Sequence, residues 1–263
     1  MSSGEPLTTI PALFPNGAAI VFGGSGGIGQ AAANALAAAG SPVALVYHSE
    51  PEAARQAAEA IRAKGGRATV HKADVTSAAE ISSAVEEAAV AHGRLHTIVF
   101  AAGPHVEQMP LADVTPELWR RSIDTETHGL FHVFKSTVKR MRDWGGGSYL
   151  HLGSAGELWW PERDGLSVCP KAANEALIRG IAKEEGRHNI RANSILVGVI
   201  ETGQFLEHLR RGTFDQAWID AVQAMLPMKR WGKPEEIGQA AVFLATNAYV
   251  TGQQISVAGG FGI

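Results

Sequence analysis

The chain of 263 residues contains a single cysteine, Cys169, which excludes an internal disulfide and fits a reducing compartment. It also lacks a run of about 18 apolar residues, the length that a membrane-spanning helix requires. Its first residues do not show the basic segment and apolar stretch of a secretory signal. These absences predict a soluble, cytoplasmic protein.

The chain also has no strong excess of positive or negative charge. The formal net charge is −3 and there is no long basic run, which argues against nucleic acid or an anionic membrane surface as the main partner. The ten histidines show no HExxH or other metal-ligand spacing, and Cys169 has no second thiol with which to share a metal. We therefore expect a small-molecule partner and no bound metal.

Segments of strand length alternate with segments of helix length. Strand-like apolar runs occupy 18–22, 42–47, 67–71, 95–100, 148–152, 190–196 and 253–258. Helix-like segments occupy 29–40, 51–66, 77–93, 115–143, 170–188 and 234–246, and a long irregular segment follows residue 196. This alternation is typical of a parallel sheet covered on both faces. It predicts one doubly wound α/β domain, a Rossmann fold, over 17–263, after an N-terminal arm of residues 1–16.

A glycine-rich stretch, GGSGGIG, joins the first predicted strand to the first predicted helix at residues 23–29. A turn there brings backbone N–H groups to a pyrophosphate at a helix N-terminus, and a Cβ would obstruct that approach. Its place between the strand and the helix of a βαβ unit is the context that a dinucleotide-binding motif requires. The expected cofactor contacts are Gly23, Ser25, Gly27, Ile28 and Gly29. A merely flexible turn is the alternative.

The end of the second predicted strand indicates which nicotinamide cofactor is bound. NAD sites usually place an acidic residue there for the ribose 2′-OH, but this strand ends in Tyr47, His48 and Ser49. No carboxylate at Tyr47 repels a 2′-phosphate, and both His48 and Ser49 can donate to one, so we expect NADP. The alternative for His48 is a solvated loop histidine, and the glycine loop contributes no arginine.

These motifs resemble those of the short-chain dehydrogenases/reductases, especially the ketoacyl-reductase-like members, over essentially the whole chain. The matching segments are GGSGGIG, ADVT at 73–76, AAG at 101–103, LGSAG at 152–156, Lys171 and the C-terminal RWGKPEEIGQAAVFLAT…VTGQQISVAGG. The resemblance implies a seven-stranded Rossmann fold. It also implies three further groups of cofactor contacts: Asp74 and Val75 at the adenine, Ala101, Ala102 and Gly103 beneath the ribose, and Gly198 and Thr202 along the nicotinamide.

The resemblance also implies a chemistry, the interconversion of carbonyl and alcohol by hydride transfer. In the family a serine polarises the carbonyl and a tyrosine exchanges the proton. A lysine lowers the pKa of the tyrosine and holds the nicotinamide ribose, and an asparagine anchors a water that relays protons to the lysine. Ser154 matches the serine, thirteen residues before position 167. Lys171 matches the lysine, and one helical turn separates it from position 167, so both side chains face the same way.

Three positions depart from the family pattern. Ser167 occupies the tyrosine position, Glu126 the asparagine position, and Phe22 the position of the threonine that usually opens the glycine loop. The only tyrosines, at 47, 149 and 249, do not follow the active-site loop. A deliberate Tyr→Ser inactivation would have needed one change, so three departures favour natural divergence.

Loss of the phenol changes the available chemistry. A phenol has a pKa near 10, which a neighbouring ammonium lowers, whereas an aliphatic hydroxyl is less acidic and shorter. We expect that Ser167 is not the direct proton donor and that Lys171 mainly holds the ribose. Replacement donors are Glu126, His151, Glu157 and His105, each of which has a structural alternative.

The leading hypothesis is an NADP-dependent oxidoreductase with an atypical site and a small apolar or aromatic substrate. Trp159 and Trp160 are candidates for the substrate pocket, with a subunit interface as the alternative. A non-redox lyase, isomerase or cyclase, and a catalytically silent nucleotide-binding protein, are the competing hypotheses. The family resemblance and the apolar C-terminal segments predict a homo-oligomer, a tetramer.

Overall fold

The centre of the computed structural model, which describes residues 12–263, is a seven-stranded parallel sheet. Its strands are Ala18–Phe22 (β1), Val43–Tyr47 (β2), Ala68–Lys72 (β3), Leu95–Phe100 (β4), Gly147–Ser154 (β5), Ile190–Val197 (β6) and Gln254–Val257 (β7). Their order in the sheet is β3-β2-β1-β4-β5-β6-β7. The order reverses between β1 and β4, the point at which doubly wound folds bind their ligands. The predicted Rossmann-type sheet is confirmed.

Helices cover both faces of this sheet. They are Gly27–Ala38 (α1), Pro51–Ala63 (α2), Ala78–His92 (α3), Pro116–Ile123 (α4), Gly129–Asp143 (α5), Gly165–Glu185 (α6), Gly203–Arg210 (α7), Gln216–Met225 (α8) and Pro234–Thr246 (α9). A π-helical turn, Asp124–His128, joins α4 to α5, so the predicted helix over 115–143 is interrupted in its middle. Within the described residues, no helix has both the length and the apolar character needed to cross a bilayer.

The core lies on the two faces of the sheet. Ile20 and Phe22 of β1 are buried on one face with residues of α3 and α5, while Ala19 and Val21 are buried on the other with residues of α1 and α9. Because both faces of the strand are covered, every position of β1 is apolar and the alternation of an exposed strand is absent. The same burial accounts for Phe22 at the start of the glycine loop.

The helix that carries Lys171 begins at Gly165, so it includes position 167, as the one-turn spacing between Ser167 and Lys171 predicts, and Pro170 lies inside it. One expectation about the segment that follows β6 was wrong. The segment after residue 196 was expected to be irregular, yet it contains α7 and α8. Aromatic packing holds these short helices, as in the stacking of Phe214 on Trp218 at 3.7 Å between ring centroids. Residues 1–11 of the predicted N-terminal arm lie outside the described residues.

Candidate active site

The glycine loop is packed so closely that side chains are excluded. Gly23 has a φ of +81°, and a Cβ there would lie 2.5 Å from the carbonyl oxygen of Ala101, in the loop after β4. A Cβ on Gly29 would collide with the carbonyl of Gly23, and one on Gly27 would collide with the hydroxyl of Thr202. Four of the predicted cofactor-binding positions are thus brought together with Ala101 or with one another.

The N-terminus of α1 has the features of an anion site. Its first residues have no capping side chain, since Gly26 forms no side-chain cap hydrogen bond, and the first turn has no acidic residue. The unpaired N–H groups of a helix start carry partial positive charge and bind phosphate oxygens. The space next to Gly26 is open, because a Cβ there would find its nearest neighbour at 3.4 Å. A pyrophosphate therefore fits the residues present, with Ser25 and Ile28 in the same turn.

At the tip of β2, His48 and Ser49 are exposed. The Nε2 atom of His48 lies 3.5 Å from a carboxylate oxygen of Asp74, which follows β3. Burial raises the pKa of Asp74, but hydrogen bonds from Thr76 and the charge of His48 outweigh burial and lower it below its ordinary value. The structure thus brings together His48 and Asp74, which were predicted separately to contact the 2′-phosphate and the adenine.

Lys171 is paired with Glu126. The ammonium contacts the carboxylate directly, and the two side chains are 17% and 3% exposed. Glu126 lies in the π-helical turn, and its carboxylate also lies against Gly103, where a Cβ would collide with it. Single π turns within helices frequently occur at functional sites. The carboxylate therefore lies between the lysine and the loop that is expected to pass beneath the nicotinamide ribose.

Helix α6 is fixed on both sides of Lys171. Pro170 has no N–H group, which leaves the carbonyl of Leu166 without its intrahelical partner. The hydroxyl of Ser122 donates to that carbonyl, and the hydroxyl of Thr127 donates to the carbonyl of Pro170 at 3.2 Å. The proline is tolerated because α4 and the π turn supply these donors, and the same contacts hold Lys171 against Glu126.

Ser154 lies at the end of β5, and Ser167 lies in the first turn of α6. Ser154 is the last residue of β5, pairs with Val197 next to Gly198, and its Oγ accepts a hydrogen bond from the N–H of Gly156 at 3.1 Å. Ser167 is half-buried in the first turn of α6, and Lys171 follows it one turn later.

No tyrosine of the described residues compensates for Ser167. Tyr149 is buried in β5 and hydrogen-bonded to Thr137 at 2.7 Å, and burial raises its pKa further. Tyr249 is fully exposed, and Tyr47 ends β2, on the far side of β1 and β4 from Ser154. Neither core packing nor solvent exposure allows these phenols to act beside Ser154.

Glu157 is a replacement donor whose pKa is shifted toward neutral pH. It lies in the 3-10 turn just after Ser154. Burial, and then the charge of Glu175, raises the pKa of Glu157 to about 7 from its ordinary value of 4.5, although Lys171 acts in the opposite direction. One of its carboxyl oxygens is buried and has no hydrogen-bond partner among the described residues. A carboxyl group in such surroundings holds its proton near neutral pH.

The two histidines among these donors are placed differently. His151 is completely buried, and its Nδ1 lies 2.9 Å from the carboxylate of Glu175, so it is a core residue with polar partners. His105 lies in the loop after β4 and stacks on His208 at 5.0 Å between ring centroids.

Trp159 and Trp160, predicted for a substrate pocket or an interface, are 61% and 46% exposed.

Known proteins resemble this chain over nearly its whole length. The family model described as Enoyl-(Acyl carrier protein) reductase matches residues 23–262. The chain belongs to the short-chain dehydrogenase/reductase family. It is 32% identical over 251 residues to a 7alpha-hydroxysteroid dehydrogenase of Clostridium sardiniense, covering 93% of each chain. It is 31% identical over 247 residues to a 2,5-dichloro-2,5-cyclohexadiene-1,4-diol dehydrogenase of Sphingobium indicum, covering 92% of this chain and 95% of the relative.

A solved structure shows the same family fold. The short-chain type dehydrogenase/reductase from Mycobacterium ulcerans superimposes with a TM-score of 0.86 at 31% identity, covering 94% of this chain and 90% of that one. Members of the family are oxidoreductases of alcohol and carbonyl substrates that use nicotinamide cofactors. Within residues 12–263, no three His, Cys, Asp or Glu side chains are grouped as metal ligands.

Proposed function

We propose that this short-chain dehydrogenase/reductase is an NADP-dependent oxidoreductase that interconverts a carbonyl and an alcohol on a small apolar or aromatic substrate. The observation that carries the proposal is the convergence, at the carboxyl edge of one sheet, of an anion-binding helix start, the Lys171–Glu126 pair and Ser154. Relatives named for a steroid and for a chlorinated cyclohexadienediol support an apolar ring substrate.

Different residues of the chain bind different parts of the cofactor in this proposal. The helix start at Gly26 takes the pyrophosphate, His48 and Ser49 take the 2′-phosphate, and Lys171 with Glu126 takes the hydroxyls of the nicotinamide ribose. When bound, the cofactor supplies or accepts the hydride. The hydroxyl of Ser154 orients the substrate oxygen and stabilises charge that develops on it.

The proton that accompanies the hydride is assigned to Glu157 rather than to Ser167. General acids work best when their pKa is close to the working pH, and the pKa of Glu157 is raised to about 7. Loss of a general acid lowers turnover by about 10² to 10⁴-fold. Glu157→Gln should therefore lower turnover by about 10²-fold or more and leave the affinity for NADPH unchanged, whereas equal turnover in this variant would reject the assignment.

The cofactor assignment is tested by fluorescence titration with NADPH and NADH, followed by turnover on a panel of ring ketones and alcohols. Tighter binding of NADPH, and turnover that changes the nicotinamide absorbance, are expected. Tighter binding of NADH would reject the role of His48 and Ser49. Turnover without any absorbance change would identify a non-redox enzyme, and binding without turnover would identify a silent nucleotide-binding protein.

We also propose that the protein is a homotetramer in the cytoplasm. Large apolar side chains are exposed on the single chain, among them Phe131 on α5 and Phe243 on α9, at 46% and 45%. Because α5 and α9 cover opposite faces of the sheet, these two side chains would serve two separate contacts between subunits. Closed symmetry is usual in homo-oligomers. A monomer in light scattering at micromolar concentration would reject this proposal.

A further inference from the structure

A chain of buried polar side chains runs beneath the Lys171–Glu126 pair. Asn174 lies on α6, one turn after Lys171, and its Nδ2 donates to the backbone carbonyl of Glu126 at 3.2 Å. The same amide nitrogen lies 3.3 Å from Nε2 of His151 on β5. The Nδ1 of His151 lies 2.9 Å from the carboxylate of Glu175, whose other oxygen accepts from Gln254 at 2.9 Å.

Each link fixes the orientation of the next. The Glu175 carboxylate accepts a hydrogen bond from the Nδ1–H of His151, so Nε2 is left to accept a hydrogen bond from the Asn174 amide. Burial raises the pKa of Glu175, but hydrogen bonds from His151, Ser194 and Gln254 outweigh burial and lower the pKa below its ordinary value. The amide group of Asn174 is thereby held with its nitrogen toward the π turn.

This orientation leaves the amide oxygen of Asn174 buried and unpaired. Asn174, His151 and Glu175 are all at most 1% exposed, and the Oδ1 of Asn174 has no hydrogen-bond partner among the described residues. An unpaired buried oxygen destabilises a fold, because it has lost its hydrogen bonds to water. An apolar side chain would fill this space without leaving an oxygen unpaired. The asparagine is therefore explained by its amide nitrogen, which donates to the carbonyl of Glu126.

We infer that Asn174 is a positioning residue, which His151 and Glu175 orient, and that it aims the Glu126 carboxylate at Lys171 by holding the π turn. The asparagine that the family has at position 126 is missing, and an amide reaches the backbone of that position from α6 instead. This inference rests on the proposed function, because the aimed lysine is expected to hold the nicotinamide ribose.

The first test is a double-mutant cycle on the dissociation constant for NADPH. Asn174→Leu, which is close in size, should weaken binding by about 3- to 10-fold, the value of one hydrogen bond at a positioned charge. In a Glu126→Gln background the same change should have no effect, because the carboxylate it aims is gone. His151→Phe should weaken binding in the same direction, and its effect should disappear in the Asn174→Leu background.

Asn193 provides a matched control. It is also completely buried and bonded to backbone, donating to the carbonyl of Val250 at 2.9 Å on the β7 side of β6. Asn193→Leu should lower stability as Asn174→Leu does but leave NADPH affinity unchanged. Equal losses of affinity in both variants, or additive effects of Asn174→Leu and Glu126→Gln, would mean that Asn174 only stabilises the fold, and the inference would be wrong.

A second measurement needs no cofactor. Amide hydrogen exchange of the backbone over 124–129 should become faster in Asn174→Leu and in His151→Phe than in the native protein, and should not change in Asn193→Leu. Unchanged exchange in the first two variants would overturn the inference. If the native protein bound neither NADPH nor NADH, the proposed function would fail, while the exchange rates would still decide whether Asn174 holds the turn.

Discussion

Glu157→Gln should stabilise the protein at high pH and not at low pH. Glu157 lies half-buried after Ser154 with one carboxyl oxygen unpaired, and its folded-state pKa is about 7 against an ordinary value of 4.5. Glutamine has the shape of the protonated acid and cannot ionise. The variant therefore retains the neutral form in the buried position at every pH.

The sign follows from proton binding. Below about pH 4.5 the carboxyl is protonated in both the folded and the unfolded chain. In this range Glu157 adds no pH dependence to the free energy of unfolding. Between about 4.5 and 7 the unfolded chain has released the proton and the folded chain still binds it, so stability falls as the pH rises. Above about pH 7 the carboxyl is ionised in both states, and the free energy of unfolding is lowered by the full cost of ionising the buried group. At 1.4 kcal/mol per pKa unit this cost is about 3 kcal/mol, which partial exposure to solvent reduces to about 2 kcal/mol.

The assay is urea unfolding of the native protein and of Glu157→Gln at pH 4 and at pH 8.5. The variant should gain about 2 kcal/mol relative to the native protein between the two pH values. Glu162→Gln is the control, because Glu162 lies exposed in the same loop and its replacement makes the same chemical change outside the buried site. An equal effect of Glu157→Gln at both pH values would refute the argument, since it would show that Glu157 ionises in the folded chain as it does in water.

Three further predictions concern the cofactor and the position of the missing phenol. Ser167→Ala should change single-turnover rates little, since no proton transfer depends on that oxygen. A loss of about 10²-fold in this variant would show that the serine has taken over proton exchange from the missing tyrosine. Ser167→Tyr should raise the rate of carbonyl reduction. Lys171→Ala should raise the dissociation constant for NADPH measured by fluorescence, and an unchanged constant would contradict its role at the ribose. His48→Ala should weaken NADPH binding and leave NADH binding unchanged, so equal losses for both would remove the assignment of a 2′-phosphate contact.

Most of the sheet could be predicted because its strands are buried on both faces. A strand such as β4 is apolar at most positions, follows Gly93 and Arg94 and leads into the AAG segment at 101–103, and its ends coincide with the predicted range of 95–100. The helices α7 and α8 were missed although their apolar residues recur at helical spacing, as Trp218, Ile219 and Val222 do in α8. Their aromatic residues pack on one another and on Trp231, which is distant from α7 in sequence.

The spacing of Ser167 and Lys171 placed position 167 in the helix that carries the lysine, and α6 begins at Gly165. The sequence does not show what makes Pro170 tolerable inside that helix. The donor that makes an internal proline tolerable, Ser122, is distant in sequence and contacts the helix only in the folded chain. Asn174 was overlooked on similar grounds, because its partners on the π turn and on β5 become its neighbours only after the sheet has formed.

The two departures at positions 126 and 167 are physically linked through Lys171. Its side chain is only 17% exposed, so an ammonium there needs a partner of opposite charge or a hydrogen-bond acceptor. A phenol at position 167 would be such an acceptor, and the short hydroxyl of Ser167 does not reach as far. Glu126 supplies a full negative charge in direct contact with the ammonium. Removal of one partner from a buried ion pair costs about 3–5 kcal/mol, so a chain that lost the phenol retains its lysine only if a carboxylate such as Glu126 is present.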